Sequence, residues 1–237
     1  MLHCQRVLGI QFKKKMKPCI NHLTADELRA IFEEPNTSTH SGLRDLVLLC
    51  LLYDSGGRIS ELINLKIRDV RLEAPATVTL FGKGNKIRYV PLMGKTAEIL
   101  SVYLREFRLT AHSMREFPLF FNRQKTALTR MGVVYVLKKY VDLARVQCPS
   151  LPDKVTPHML RHSKAMHLLE SGVNLIYIRD LLGHSSVTTT EGYARASAEM
   201  KRKAMEDAHT NLISIDTKEA VWEEDVGLVS WLQKLCR

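Results

Sequence analysis

The segment TPHMLRH at residues 156–162 has the pattern of a helix start. Threonine, as at position 156, caps helix N-termini, and proline, as at position 157, is favoured in the first helical turn. His158 and Arg161 are three positions apart, so a helix places both side chains on one face. Both side chains could therefore contact a single bound phosphate group. The planar guanidinium of the arginine can donate two hydrogen bonds to such a group.

His162 lies four positions after His158, which is the spacing of a helical zinc-binding pair. The sequence HMLRH lacks the glutamate of the HExxH motif, however, and no third ligand is evident. We therefore predict no metal site here and expect His162 to have a structural role.

Downstream of this stretch, the pattern predicts a helix with a defined exit. Asn174 is a residue type that caps helices, and Gly183 is the type that ends them in the left-handed conformation. His184 therefore follows directly after a helix end. Considered alone, a histidine at this place would more often be a cap that interacts with the helix dipole.

Upstream, apolar residues are so dense between positions 41 and 53 that they predict a buried helix. The break at residues 55–57, Ser-Gly-Gly, ends this helix and places Arg58 at the start of the next one. Arginine is suited to binding phosphate because its guanidinium stays charged at any working pH. Further upstream, Thr24 and Glu27 have the spacing of a capping box, which predicts the first helix of the domain.

Two β-like runs, at residues 76–81 and 87–92, flank the segment GKGNK at residues 82–86. The glycine and asparagine content of this segment predicts a tight hairpin turn, with Lys83 near its tip. The GxxxxGK[ST] spacing of a phosphate-binding loop is absent, and the segment joins two strands. A nucleotide triphosphate site is therefore not predicted.

The remaining patterns define the fold class and the organisation of the chain. Further helices are predicted at residues 95–107, 129–145, 157–171, 174–182 and 187–207. With the hairpin, they predict a mainly α protein with a small antiparallel β-sheet, an α+β fold. We divide the chain into a basic linker or arm at residues 1–22, a domain at residues 23–209 and a C-terminal tail at residues 210–237. In the tail, the periodicity of residues 218–235 predicts an amphipathic helix.

Composition narrows the class of partner. The net charge is +10, with 35 Lys and Arg residues, which favours a polyanion such as DNA, although other basic proteins are equally charged. The longest uncharged apolar run, residues 46–53, is far shorter than the about 20 residues that cross a bilayer, so no membrane association is predicted. The five cysteines form no CxxC pair and suggest reduced thiols. We expect a cytoplasmic protein, associated with the nucleoid if it is bacterial.

The segments that carry a family resemblance are DSGGRISEL at 54–62, GKGNK at 82–86, HMLRH at 158–162, and LLGH at 181–184 followed by Tyr193. In this order and spacing they resemble the signature boxes of the tyrosine recombinases, the phage-integrase and Xer-like family. The likeness extends over roughly residues 23 to 209 and implies the tyrosine-recombinase catalytic-domain fold. It also implies a site-specific recombinase or integrase, as found on mobile elements, that cuts and rejoins DNA through a 3′-phosphotyrosine intermediate.

The resemblance implies a role for each matching residue around one DNA phosphate. The six catalytic residues are Arg58, Lys83, His158, Arg161, His184 and Tyr193. Tyr193 is the nucleophile, His158 is an acid/base residue for it, and His184 packs beside the phosphate. Arg58 and Arg161 stabilise the charge on the nonbridging oxygens. No cofactor or metal is implied, and ATP is not needed because the phosphotyrosine link stores the energy of the broken bond.

Lys83 is implied to protonate the 5′-hydroxyl leaving group, and Lys86 on the same turn is the competing candidate. Basic side chains expected to contact DNA phosphates are Lys13, Lys14, Lys15, Lys86 and Arg88. The implied partner is double-stranded DNA, held by a homotetramer on synapsed sites that is monomeric when free. The resemblance further suggests that the C-terminal helix docks onto a neighbouring protomer, whereas folding back onto its own domain is the alternative.

Other functions remain open from the sequence. Family members normally carry a helical core-binding domain of about a hundred residues, whereas here only about 22 residues precede Thr24. The chain is therefore expected to be a catalytic fragment, a shortened product or a small member. A type IB topoisomerase would use similar chemistry to relax DNA, and a truncated or noncatalytic regulator would bind DNA without a covalent link.

Overall fold

The computed structural model describes residues 21–82, 84, 86–183, 190 and 193, and the statements below concern these residues. They form seven α-helices, and these are α1 (Ala25–Glu33), α2 (His40–Ser55), α3 (Ile59–Ile63), α4 (Gly94–Glu106), α5 (Arg130–Ala144), α6 (Pro157–Glu170) and α7 (Leu175–Leu182). Short 3-10 helices lie at Ile67–Asp69 and His112–Met114. Three strands complete the fold, and these are β1 (Val70–Arg71), β2 (Thr77–Phe81) and β3 (Ile87–Pro91).

The helix starts follow from local capping. The hydroxyl of Thr24 accepts from the backbone N–H of Glu27, whose carboxylate accepts in return from the backbone N–H of Thr24, which confirms the predicted capping box. Thr156 caps α6 with Pro157 in its first turn, and Asn174 caps α7. Each cap satisfies a backbone donor that the first turn of a helix leaves without a partner.

Helix α2 is the centre of the core, as its apolar density predicts. Val47, Leu48, Leu49 and Leu51 are fully buried. The helix packs against α4 and α6, while α1 packs against α2 and α5. Burial of this much aliphatic surface is the main force that holds the helices together.

The sheet is antiparallel, with strand order β1-β2-β3. β2 and β3 form the predicted hairpin, in which Val78 is opposite Val90 and Leu80 is opposite Arg88. Val78, Leu80 and Val90 are fully buried, so this face of the sheet is directed toward the core. Strand β1 was not predicted, because it pairs with β2 over two residues and is too short to have a recognisable pattern.

The structure confirms the predicted class, mainly α with a small antiparallel sheet. No described helix is long and apolar enough to span a membrane. Thr190 and Tyr193 are helical, but the rest of the helix predicted at 187–207 lies outside the described residues. The same holds for residues 1–20 of the basic arm and for the tail at 210–237, so the proposed boundaries stay predictions.

Candidate active site

The turn between α2 and α3 presents the first cation of the candidate site. Gly56 ends α2 in the left-handed conformation with φ of 53°, which glycine adopts without strain. A Cβ at this position would lie 2.7 Å from Cδ2 of Leu182 at the end of α7, so a larger residue would not fit there. Two residues later Arg58 is at the N-cap of α3, and its side chain is 39% exposed. The turn therefore presents a partly exposed guanidinium at a helix start.

Arg161 on α6 is buried, with only 1% of its surface exposed. Its Nη1 donates to the carbonyl oxygen of Gly56 at 2.6 Å, and its Nη2 donates to that of Leu182 at 2.6 Å. Burial, followed by the positive charge of Arg58, lowers the pKa of Arg161 to about 10. The side chain thus remains charged at neutral pH while it joins the ends of α2 and α7.

A cleft of about 210 Å³ opens beside these residues. Its lining residues are Gly57, Arg58, Ile59, Ser60, Arg130, Pro157 and His158. Because a water molecule occupies about 30 Å³ of liquid, the cleft has room for several waters or for one phosphate group. Burial lowers the pKa of His158, and the charges of Arg161 and Arg58 lower it further. A cleft walled by cations and a neutral imidazole is suited to an anionic ligand.

The predicted nucleophile, Tyr193, is buried next to this cluster, with 2% of its surface exposed. Its hydroxyl is 2.8 Å from Nδ1 of His162, within hydrogen-bonding distance. Burial, with further contributions from His158 and Arg161, lowers the pKa of His162 to about 4. Burial raises the pKa of Tyr193, and the charge of Arg161 acts in the opposite direction. At neutral pH the phenol therefore meets an uncharged imidazole.

The imidazole rings of His158 and His162 are adjacent on α6, with centroids 4.4 Å apart and an interplanar angle of 78°. His158 lines the cleft, and His162 contacts the tyrosine. His162, which was expected to have a structural role, therefore contacts the predicted nucleophile. Its position directly after Arg161 and one helical turn after His158 was the sequence signal that could have identified it.

The buried carboxylate of Glu61 forms an ion pair with Arg58. Oε1 of Glu61 is 3.0 Å from Nη1 of Arg58, and Oε2 accepts from the backbone N–H of Arg58 at 2.8 Å. Arg88 forms a second ion pair with the same carboxylate, with Nη2 to Oε2 at 2.6 Å. Burial would raise the pKa of Glu61, but the hydrogen bonds and charges of Arg88 and Arg58 outweigh burial and lower it.

Arg88 was predicted to contact DNA, whereas its guanidinium in this structure is directed to the interior, and its side chain is 12% exposed. Lys86, the other hairpin residue predicted to bind DNA, is exposed. Contact of Arg88 and of Lys86 with DNA stays a prediction.

The remaining predicted site residues lie outside the described residues, and these are Lys13, Lys14, Lys15, Lys83 and His184. Their immediate neighbours are described. Gly82 follows β2, and its N–H donates to the carbonyl oxygen of Lys86 across the hairpin at 2.8 Å. Gly183 ends α7 in the left-handed conformation with φ of 64°, as its residue type predicts. The structure thus confirms the hairpin and the helix exit that were predicted to carry Lys83 and His184.

Arg130 is a cation of the cleft that the sequence analysis missed. It is exposed at the first position of α5, directly after the capping residue Thr129. A basic residue after a helix cap is common on protein surfaces, so the pattern alone does not connect it with Arg58. Among the described residues, no group of three or more His, Cys, Asp or Glu side chains could hold a metal ion.

Comparison with known protein sequences identifies the family of this chain. A family model described as "Phage integrase family" matches residues 21–200. Tyrosine recombinase XerC of Staphylococcus haemolyticus is 38% identical over 184 residues, which are 78% of this chain and 60% of the relative. Tyrosine recombinase XerD of Staphylococcus epidermidis is 37% identical over 202 residues, which are 84% and 66% of the two chains. The chain therefore spans 60 to 66% of the length of these relatives.

Solved structures give the same result for the fold. XerA recombinase superposes with a TM-score of 0.67 at 26% identity, over 86% of this chain and 68% of that one. XerH site-specific recombinase in a post-cleavage complex with palindromic difH substrate superposes with a TM-score of 0.68 at 28% identity, over 83% and 55%. These likenesses confirm the expected tyrosine-recombinase catalytic-domain fold.

Proposed function

The chain belongs to the phage integrase family, and we propose that it cuts and rejoins double-stranded DNA at specific sites through a 3′-phosphotyrosine intermediate. The observation that carries this proposal is the convergence of three sequence-distant segments. Arg58 follows α2, His158 and Arg161 lie on α6, and Tyr193 is hydrogen-bonded to the next residue of α6, His162. Phosphoryl transfer by a tyrosine requires this combination of cations, proton carriers and nucleophile.

In the proposed complex, the scissile phosphate occupies the cleft lined by Arg58, Arg130 and His158. Arg58 is partly exposed and can turn its free donors to a nonbridging oxygen. Arg161 is fixed by two backbone carbonyl groups, so its charge is already in position before substrate arrives. Preorganised charge of this kind stabilises the five-coordinate phosphorus without reorganisation during the reaction.

The attack forms a bond between the Tyr193 oxygen and phosphorus and breaks the bond from phosphorus to the 5′ oxygen. The hydrogen bond to His162 favours Nδ1 of that residue as the first acceptor of the phenolic proton. This differs from the role predicted for His158, which lines the cleft and would contact the phosphate instead. An approaching phosphate brings negative charge, which raises the low pKa of His162 and makes it a better base.

Lys83 is proposed to supply the proton to the departing 5′ oxygen, with Lys86 as the alternative donor on the same hairpin. The free 5′-hydroxyl of a partner strand then reverses each step, and the proton on His162 returns to Tyr193. ATP is not consumed, because the phosphotyrosine ester keeps the energy of the phosphodiester, and the arginines supply the positive charge at the phosphate. His184 is expected to add a contact to the phosphate from the exit of α7.

Recombination requires two DNA sites, so we propose a homotetramer on synapsed DNA, with the free chain monomeric and the C-terminal helix docking between protomers. It would act on chromosomal or mobile-element DNA in the cytoplasm. The relatives are named recombinases, which does not favour the topoisomerase or the noncatalytic regulator. The basic residues Lys13, Lys14 and Lys15 remain candidates for contacts with DNA phosphates.

The proposal can be tested without knowledge of the target sequence. The wild-type chain is incubated at low ionic strength with a pool of nicked duplex oligonucleotides that have a randomised core. Cleavage next to a nick releases a short fragment, so the covalent complex cannot reverse and accumulates. Protein-linked DNA is recovered under denaturing conditions and sequenced.

We expect an enriched sequence family and a covalent adduct that Tyr193→Phe does not form. Adducts formed equally by Tyr193→Phe, or none from wild type under conditions in which it binds the pool, would contradict the proposal. Relaxation of supercoiled DNA without preference for the enriched sequence would instead support the topoisomerase.

A further inference from the structure

Arg88 is a charged residue on the core-facing side of the sheet. It pairs across the hairpin with Leu80, which is fully buried, and cross-strand partners point to the same face. The alternation along β3 agrees, because Ile87 and Tyr89 are exposed while Val90 is buried. An arginine at such a position is tolerated only when its charge and its donors are satisfied.

The donors of Arg88 are divided between two other segments of the chain. Nη1 and Nη2 form a bidentate pair with Glu61, at 3.1 and 2.6 Å from Oε1 and Oε2. Nε donates to the carbonyl oxygen of Leu181, in the last turn of α7, at 2.9 Å. Glu61 is itself buried and holds both the side chain and the backbone N–H of Arg58. One arginine and one carboxylate thus connect α3, the hairpin and the end of α7.

Two glycines pack against this ion pair. A Cβ at Gly183 would lie 3.0 Å from Nη1 of Arg88, and one at Gly82 would lie 3.5 Å from Oε1 of Glu61. Gly82 immediately precedes Lys83, and Gly183 immediately precedes His184. The backbone therefore approaches the ion pair just before each of two predicted catalytic residues.

We propose that Arg88 is a positioning residue which, through Glu61 and Leu181, sets the relative positions of the segments that carry Arg58, Lys83 and His184. This inference rests on the proposed function, since those three residues act on one phosphate only in that reaction. It replaces the direct contact between Arg88 and DNA that the sequence suggested. The guanidinium does not touch the phosphate but determines where the groups that do so are placed.

The geometry requires arginine and not merely a positive charge. The planar fork reaches both oxygens of Glu61, while its Nε reaches Leu181 from the opposite edge. The single nitrogen of a lysine would neutralise Glu61 but could not hold both partners in this arrangement. Lysine at position 88 therefore separates the bridging role from a simple requirement for charge.

The deciding experiment compares wild type with Arg88→Lys on an oligonucleotide taken from the selected pool. Arg88→Met serves as a second variant, although it leaves Glu61 unpaired and can unfold the protein. Arg71→Lys is the matched control, because Arg71 is an exposed arginine of β1 that donates to the carbonyl oxygen of Pro75. Three quantities are measured, namely the cleavage rate at saturating protein, the DNA affinity as a function of salt, and amide hydrogen exchange.

Arg88→Lys should lower the saturating cleavage rate by about 10- to 100-fold, because displacement of reacting groups by about 1 Å can cost 100-fold. DNA affinity and its salt slope should stay within about twofold of wild type, since no phosphate contact is lost. Amide exchange should increase together in residues 58–62, 87–90 and 178–182. Arg71→Lys should behave as wild type in all three measurements.

A direct DNA contact predicts a different pattern. If Arg88 contacted DNA directly, Arg88→Lys would largely preserve DNA affinity and cleavage, whereas Arg88→Met would reduce the salt slope of DNA binding by about 1. This result would overturn the positioning role. If wild type forms no adduct at all, the proposed function fails, and the exchange measurement still decides whether Arg88 joins the three segments. Faster amide exchange confined to β3 would overturn the proposal that Arg88 connects the three segments.

Discussion

Acidification should destabilise this protein through His162. Burial, together with His158 and Arg161, lowers the pKa of His162 from 6.5 to about 4. The unfolded chain therefore takes up a proton at a higher pH than the folded protein does. Stability contributed by the neutral imidazole is complete above about pH 6.5 and is lost progressively as the pH falls toward about 4. Because one pKa unit corresponds to about 1.4 kcal/mol, the largest possible loss is about 3 kcal/mol.

The assay is urea unfolding of wild type and His162→Gln at about pH 7 and about pH 4.5. Glutamine retains a hydrogen-bonding group for Tyr193 but binds no proton in this range. Between the two pH values, wild type should lose about 2 kcal/mol more of its free energy of unfolding than the variant does. His112→Gln, at an exposed histidine, controls for the loss of a histidine as such. Equal losses in wild type and His162→Gln would refute the burial of a neutral imidazole against the tyrosine.

Three further predictions follow from other contacts. Arg130→Gln should weaken DNA binding and reduce the dependence of log affinity on log salt concentration by about 1, as measured by fluorescence anisotropy. The covalent protein–DNA adduct should still form. An unchanged salt dependence would exclude a contact between Arg130 and a phosphate. Lys164→Met should lower the free energy of unfolding in urea by about 3–5 kcal/mol, because it leaves the buried carboxylate of Asp54 without its ion pair. A loss of less than about 1 kcal/mol, as is typical of a solvated ion pair, would contradict this. Thr24→Ala should cost about 1 kcal/mol by removing the cap of α1, and thermal unfolding that matches wild type would show that the cap is dispensable.

Much of the fold could be predicted from local sequence patterns. Each of three features depends on residues within one helix or one strand pair, and these are the capping box at Thr24, the dense apolar run that becomes α2 and the glycine-rich hairpin. Gly183 was likewise predictable, because a helix commonly ends with a left-handed glycine. Strand β1 and the two short 3-10 helices were not predicted, since two or three residues carry no recognisable periodicity.

The site was harder to predict where partners are distant in sequence. The hydrogen bond from Arg161 to Gly56 joins residues 105 positions apart, and that from Arg88 to Leu181 spans 93 positions. No local pattern indicates that Arg88 turns inward, because a basic residue near a lysine-rich turn equally suits a DNA-facing surface. His162 was set aside for a similar reason, since its contact with Tyr193 depends on how two helical segments approach each other.

The most direct measurement of the central claim is the chemical identity of the protein–DNA link. The adduct from the selected oligonucleotide is digested with nuclease and protease, and the modified peptide is analysed by tandem mass spectrometry. The account predicts a nucleotide esterified through its 3′ phosphate to the oxygen of Tyr193, with a free 5′-hydroxyl on the released strand. A nucleotide on any other residue, a 5′ linkage, or no covalent peptide from DNA-bound wild type would contradict it.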